Sequence, residues 1–142
     1  MSDIRLLVCG NRTCTGEAWE LTISTWLGYI GRVARRKRVP VTLIHGGADG
    51  ADSIADEVGK RLGWTIEAYP ISQEDWQRLG KRAGRVRNVA MFNQGKPTRS
   101  LAFGSLTKPD TESDDSGTGH MVKVCNRGDI IVTVVPRAGV LP

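Results

Sequence analysis

No apolar run in the chain approaches the ~18 to 20 residues that a membrane-spanning helix needs, and the start, MSDIRLLVCG, lacks the charged, apolar and small-residue regions of a secretory signal. No membrane partner is expected, and the protein is expected in the cytoplasm. Cysteine is scarce. The three residues present, Cys9, Cys14 and Cys125, are odd in number and form no CxxC pair, so neither a disulfide framework nor a zinc ribbon is indicated. They read as reduced thiols. Histidine occurs only twice, and neither GxxxxGK[ST] nor GxGxxG is present, which excludes a P-loop and the common dinucleotide fingerprint.

What remains is a chain of 142 residues, 39% hydrophobic, with room for one domain and one sizeable core but not for two ordinary domains. Its formal charge of +5 favours anionic partners without choosing between nucleotides, nucleic acid and mere solubility.

Short apolar runs alternate with helical patterns along the chain. Residues 4–9 (IRLLVC) predict a strand ending at Gly10. Residues 17–35 predict a helix with Trp19, Ile23, Trp26, Leu27, Ile30 and Val33 at helical spacing, closed by Arg35, Arg36, Lys37 and Arg38. That basic cluster suits either a negative helix C-terminus or a nucleic-acid patch. Strands follow at 41–45 and 65–70. The helix between them buries Ala51, Ile54, Ala55, Val58 and Leu62, and Gly63 is placed to stop it. Residues 72–85 read as a long polar connection, then a short helix around Val86, Val89, Ala90 and Phe92. A fourth strand is expected at 100–104, a mobile acidic loop at 105–116, a helix from Thr118 to Asn126, a last strand DIIVTVV, and a tail at 137–142. Strands separated by helices imply a parallel sheet of about five strands with helices on both faces. The fold class is α/β, Rossmann-like, in a single domain.

In such a sheet ligands gather beyond the carboxyl ends of the strands. The segment HGGADGAD, residues 45–52, sits at one of those ends. Glycine lets backbone approach a ligand closely, and N–H groups at a helix start favour phosphate. Two readings stay open: the loop cradles a phosphate, or it is a tight turn in which Asp49 or Asp52 caps the helix. CGNRTCTG, PISQEDW, the acidic loop and SGTG at 116–119 are expected at the same edge.

VCGNR, HGGADGAD, DW followed by GKRAGRVRN, and SGTG together resemble the YspA-type branch of the SLOG superfamily, which also holds the Lonely Guy phosphoribohydrolases and DprA. The resemblance runs from about Ile4 to Pro136. It implies a nucleotide or nucleotide-derived ligand, such as an ADP-ribose-like signal, held between two glycine-containing loops. The residues it places at the ligand are Gly10, Asn11, Arg12, Gly46, Gly47, Ala48, Asp49, Gly50, Asp52, Trp76, Arg85, Arg87, Asn88, Ser116, Gly117, Thr118 and Gly119. The partners expected are that ligand and further copies of the chain. Two departures stand out. Lonely Guy enzymes carry PGGxGTxxE with a catalytic glutamate, whereas here SGTGHM puts Met121 in that place; Arg87 of RNVAM matches the enzyme arginine. LTKPDTESDD also replaces a compact PGG turn.

The residues admit specific roles. Arg12, Arg85 and Arg87 have guanidinium forks suited to phosphate oxygens. Trp76, flanked by polar residues, is a platform for a base or an anchor for its own loop. His45 and His120 are candidates for acid–base work, and Asp49 and Asp52 for holding ribose hydroxyls or activating water. No metal site is read. Asp110, Glu112, Asp114 and Asp115 match no EF-hand, and their one candidate cofactor role is Mg²⁺ carried by a ligand phosphate, against a solvated charged loop. Three functions follow: a small-molecule binding protein acting as sensor or sequestering agent, an N-glycosidic hydrolase with a relocated acid, and a binder of single-stranded nucleic acid. The first is favoured, because the anion loops are present and the enzyme glutamate is not.

Overall fold

The computed structural model describes residues 3–108 and 116–142. Five strands, β1 (Ile4–Gly10), β2 (Val41–His45), β3 (Thr65–Ala68), β4 (Arg99–Phe103) and β5 (Val132–Val135), form one sheet in the order β3-β2-β1-β4-β5. Every pairing is parallel: Leu6 lies opposite both Leu43 and Arg99, and Leu43 lies opposite Ile66. The α/β, Rossmann-like expectation is met.

Strand residues alternate between two cores. Leu6, Val8, Leu43, Leu101 and Phe103 point to one face, where they meet Ile23, Leu27, Ile30 and Ala34 of α1 (Glu17–Lys37) and Ala51, Ala55 and Val58 of α2 (Ala51–Arg61). Leu7, Cys9, Ile44 and Ala102 point to the other, against Met91 of α4 (Ala83–Gly95) and Met121, Val122, Val124 and Cys125 of α5 (Gly117–Arg127). Both faces of β1 are covered, as an interior parallel strand requires.

α1 repeats its buried positions at steps of four and three residues and ends where Arg38 turns left-handed at φ 56°. Trp19 and Trp26 border this core: Trp19 meets Phe103 edge-on at 6.3 Å, and the Trp26 indole donates to the Val140 carbonyl at 2.7 Å. Gly139 N–H also donates to Thr22 Oγ1, so the tail is docked along α1.

Residues 72–85, expected as a long polar connection, are largely helical. They form α3 (Gln73–Leu79), a single 3₁₀ turn at Gly80–Arg82 and the first turn of α4, which begins at Ala83. Ser72 caps α3 by accepting from Asp75 N–H at 3.1 Å. No residue of α3 is buried, so the segment lacks the apolar periodicity that marks a packed helix. The outer strands are shorter than read: β3 stops at Ala68, and β5 starts at Val132. Of the 105–116 segment, residues 109–115, with Asp110, Glu112, Asp114 and Asp115, lie outside the described residues.

Candidate functional site

The chain order β1→β2→β3 runs outward on one side of β1, and β4→β5 on the other, so the loops after β1 and β4 diverge at a switch point. Such a crevice is where open parallel sheets accept ligands. A cavity of about 640 Å³ lies here.

Its centre is organised by Asn11. The side-chain carbonyl accepts from Ser105 N–H, and the amide donates to the Ser105 carbonyl at 3.0 Å and to Thr118 Oγ1 at 3.2 Å. Its backbone carbonyl accepts from Ala51 N–H at 3.3 Å. Asn11 thereby joins the loop after β1, the loop after β4 and the starts of α2 and α5. Gly50 permits this junction: at φ 80° it stands where any Cβ would be driven into the carbonyl oxygens of Asn11 and Arg12.

The glycine loop is filled from within. Asp52, 5% exposed, accepts at Oδ2 from Gly46 N–H at 3.1 Å and from Ala48 N–H at 3.2 Å. His45 Nδ1 accepts from Gly47 N–H at 2.9 Å, which leaves the ring proton on Nε2 to donate to Asp56 Oδ1 at 2.8 Å. An anion-cradling turn needs those amides for its ligand, and here the protein's own carboxylate and imidazole hold three of them. The helix-capping alternative also takes another form: the residue before α2 is Gly50, with no side-chain cap, and Asp52 bonds back across the loop from inside the first turn.

Across the cavity, α4 contributes Arg87 and Asn88. Arg87 donates through Nη1 to the carbonyls of Gly46 and Tyr69, and through Nε to Asn88 Oδ1 at 3.1 Å. Gly46 has no Cβ to obstruct this, and one added there would meet the guanidinium. Asn88, 4% exposed, passes the link on, its amide donating to the Gly117 carbonyl at 3.3 Å and to His120 Nδ1 at 3.1 Å. Burial depresses the Arg87 pKa below its ordinary value, and nearby Arg12 adds to this while Asp52 opposes it. Among the described residues no carboxylate lies within ion-pair distance of Arg87. Ser116 Oγ caps α5 by accepting from Gly119 N–H at 3.0 Å. The amides of Gly117 and Thr118 belong to the first turn, which has no intrahelical acceptor to offer them.

The cavity wall thus brings together Gly10, Asn11, Arg12, Gly46, Ala48 and Asp52 from one side, and Trp76, Arg85, Arg87, Asn88, Ser116, Gly117, Thr118 and His120 from the other. Five expected residues stand outside its lining. His45 faces α2 through Asp56; Gly47, at φ 70°, turns beside Pro70; Asp49 is exposed; Gly50 serves the junction; and Gly119 packs beneath Leu106. Two lining cations escaped the sequence reading, Lys81 and Lys108. Lys81 lies within GKRAGRVRN and could have been taken with it. Lys108 is a single base in an acidic stretch and gave no signal. Met121, 1% exposed, and Cys9 help to form the floor, where burial pushes the Cys9 thiol well above its usual pKa.

Compared with known proteins, the chain is 32% identical over 105 residues to the Gene 61 protein of Mycobacterium phage D29, a match covering 70% of this chain and 75% of the phage protein. The chain belongs to that protein's family. No protein-family model matches it. Among the described residues, no helix is long and apolar enough to cross a membrane.

Proposed function

We propose that this cavity binds a nucleotide-derived small molecule and that the protein acts as a sensor or sequestering agent, in keeping with its resemblance to the SLOG superfamily. The observation that carries the reading is Arg87: a partly buried guanidinium at the wall, held by backbone carbonyls and Asn88, with Arg12, Lys81, Arg85 and Lys108 around the same space. A cationic surface of this kind is completed by an anion. The phosphate sits on the arginine side, toward the first turn of α5, because the amides of the glycine loop are engaged. Trp76, 43% exposed at the rim, supplies an aromatic face for a base.

Binding without hydrolysis follows from the floor. Met121 is buried where the Lonely Guy pattern has its glutamate, and a thioether cannot stabilise an oxocarbenium-like charge. The same proposal includes self-association through α4, where Val86 and Val89 are 50% and 44% exposed one turn apart; light scattering would read it as a multiple of 15.5 kDa.

A thermal-shift screen with AMP, ADP, ADP-ribose and cyclic ADP-ribose tests the reading. At least one is expected to raise the melting temperature. Arg85→Ala, on an exposed side chain, should weaken that ligand roughly tenfold, about one charge-assisted hydrogen bond, and leave the apo melting temperature unchanged. No shift with any of the four would refute the proposal.

A further inference from the structure

Asp52 uses only half of its carboxylate. Oδ2 accepts two backbone amides, whereas Oδ1 is buried and has no hydrogen-bond partner among the described residues. Buried polar atoms are almost always paired, because an unmet acceptor forfeits its hydration for nothing. The residue also lines the cavity, so the donor that completes it is one that a ligand brings.

The surroundings narrow the chemistry of that donor. A fully ionised phosphate would meet a carboxylate of like charge and has no proton to give. An ammonium group would be repelled by Arg87 and Arg12, and by Lys81, Arg85 and Lys108 around the same cavity. What fits is a neutral donor on an otherwise anionic molecule, and in a nucleotide the sugar hydroxyls are such donors. Resting on the nucleotide reading above, we infer that Asp52 determines specificity by accepting a hydrogen bond from a ribose hydroxyl, so that the cavity selects ribonucleotides over deoxyribonucleotides. Arg87 then engages the phosphate and Asp52 the sugar, with opposite charges reading separate parts of one ligand.

Calorimetric titration of the full chain with AMP, 2′-deoxyadenosine monophosphate and 3′-deoxyadenosine monophosphate provides the test, on the wild type and on Asp52→Asn. The asparagine keeps an oxygen for the Gly46 and Ala48 amides and replaces Oδ1 by a donor. Wild type should bind AMP at least about tenfold more tightly than one of the two deoxy forms, the size expected for a lost hydrogen bond to a charged group. Asp52→Asn should bring that ratio close to one. Equal binding of all three nucleotides to the wild type, or an unchanged ratio in a folded Asp52→Asn, would overturn the inference and leave the nucleotide reading standing. If Asp52→Asn fails to fold, the wild-type ratio alone decides. Absence of binding by all three nucleotides would overturn the inference, while the nucleotide reading stands or falls with the four-ligand thermal-shift screen.

Discussion

Arg87 and Asp52 carry opposite charges into one cavity, and each feels the other without forming an ion pair within 4 Å. The separation has a consequence for pH. Burial is the largest influence on Asp52 and raises its pKa, against the opposing pull of the Ala48 and Gly46 amides, His45 and Arg87. A folded-state pKa above the unfolded value means that the folded protein binds the proton more tightly, so stability falls as pH rises from the ordinary carboxylate range near ~4 toward the raised value. Asparagine has no such proton. The melting temperature of apo Asp52→Asn relative to wild type should therefore increase as pH is raised through that window, and a difference that is flat or declines would contradict this account of Asp52. Asp56 behaves in the opposite sense. Lys60 and His45 hold it below its usual pKa, so its contribution is present above the carboxylate range and is lost as pH falls through its folded value.

At the scale of elements, α1 and α3 show which features stabilise without marking function. The C-terminus of α1 lies at the opposite edge of the sheet from the cavity, since the helix runs back against the strands before β2 begins. Its basic residues Arg35, Arg36 and Lys37 fall in the last turn, where they meet the negative end of the helix dipole. Arg38→Gly, at φ 56°, should stabilise the fold by up to about 1 kcal/mol in chemical denaturation, because glycine enters the left-handed region without a Cβ penalty. Nucleotide affinity should not change, and a loss of affinity would move the binding surface to this cluster. Gly50→Ala should do the reverse, costing several kcal/mol by forcing the Asn11 junction apart. Helices with a buried stripe, such as α1 and α2, were legible in the sequence because burial imposes a period. α3 was not, since a helix with no buried residue has nothing to repeat, and its one local signal was the Ser72 cap. The loop amides present a second limit. HGGADGAD signals close backbone approach, but only in the folded chain do Asp52 and His45 come to occupy the N–H groups that a phosphate would take.

On the scale of the whole molecule, the sheet order decides where chemistry gathers. With β1 central and β4 returning beside it, four loops far apart in sequence close around one space, and Asn11 fastens three of them, those after β1, β2 and β4. Alternating helix and strand patterns made that edge predictable. The partners within it depended on side-chain directions that no spacing encodes, such as Asn88 reaching Gly117 and His120. The central claim is that this cavity takes a nucleotide, and backbone amide NMR of the labelled chain during titration with AMP, ADP, ADP-ribose and cyclic ADP-ribose tests it most directly. Saturable shifts are expected at Gly10–Thr13, at Gly46–Asp52, at Arg85–Asn88 and at Gly117–Thr118, with residues 35–38 unmoved. Shifts confined to 35–38, or none at saturating AMP, ADP, ADP-ribose or cyclic ADP-ribose alike, would contradict the account.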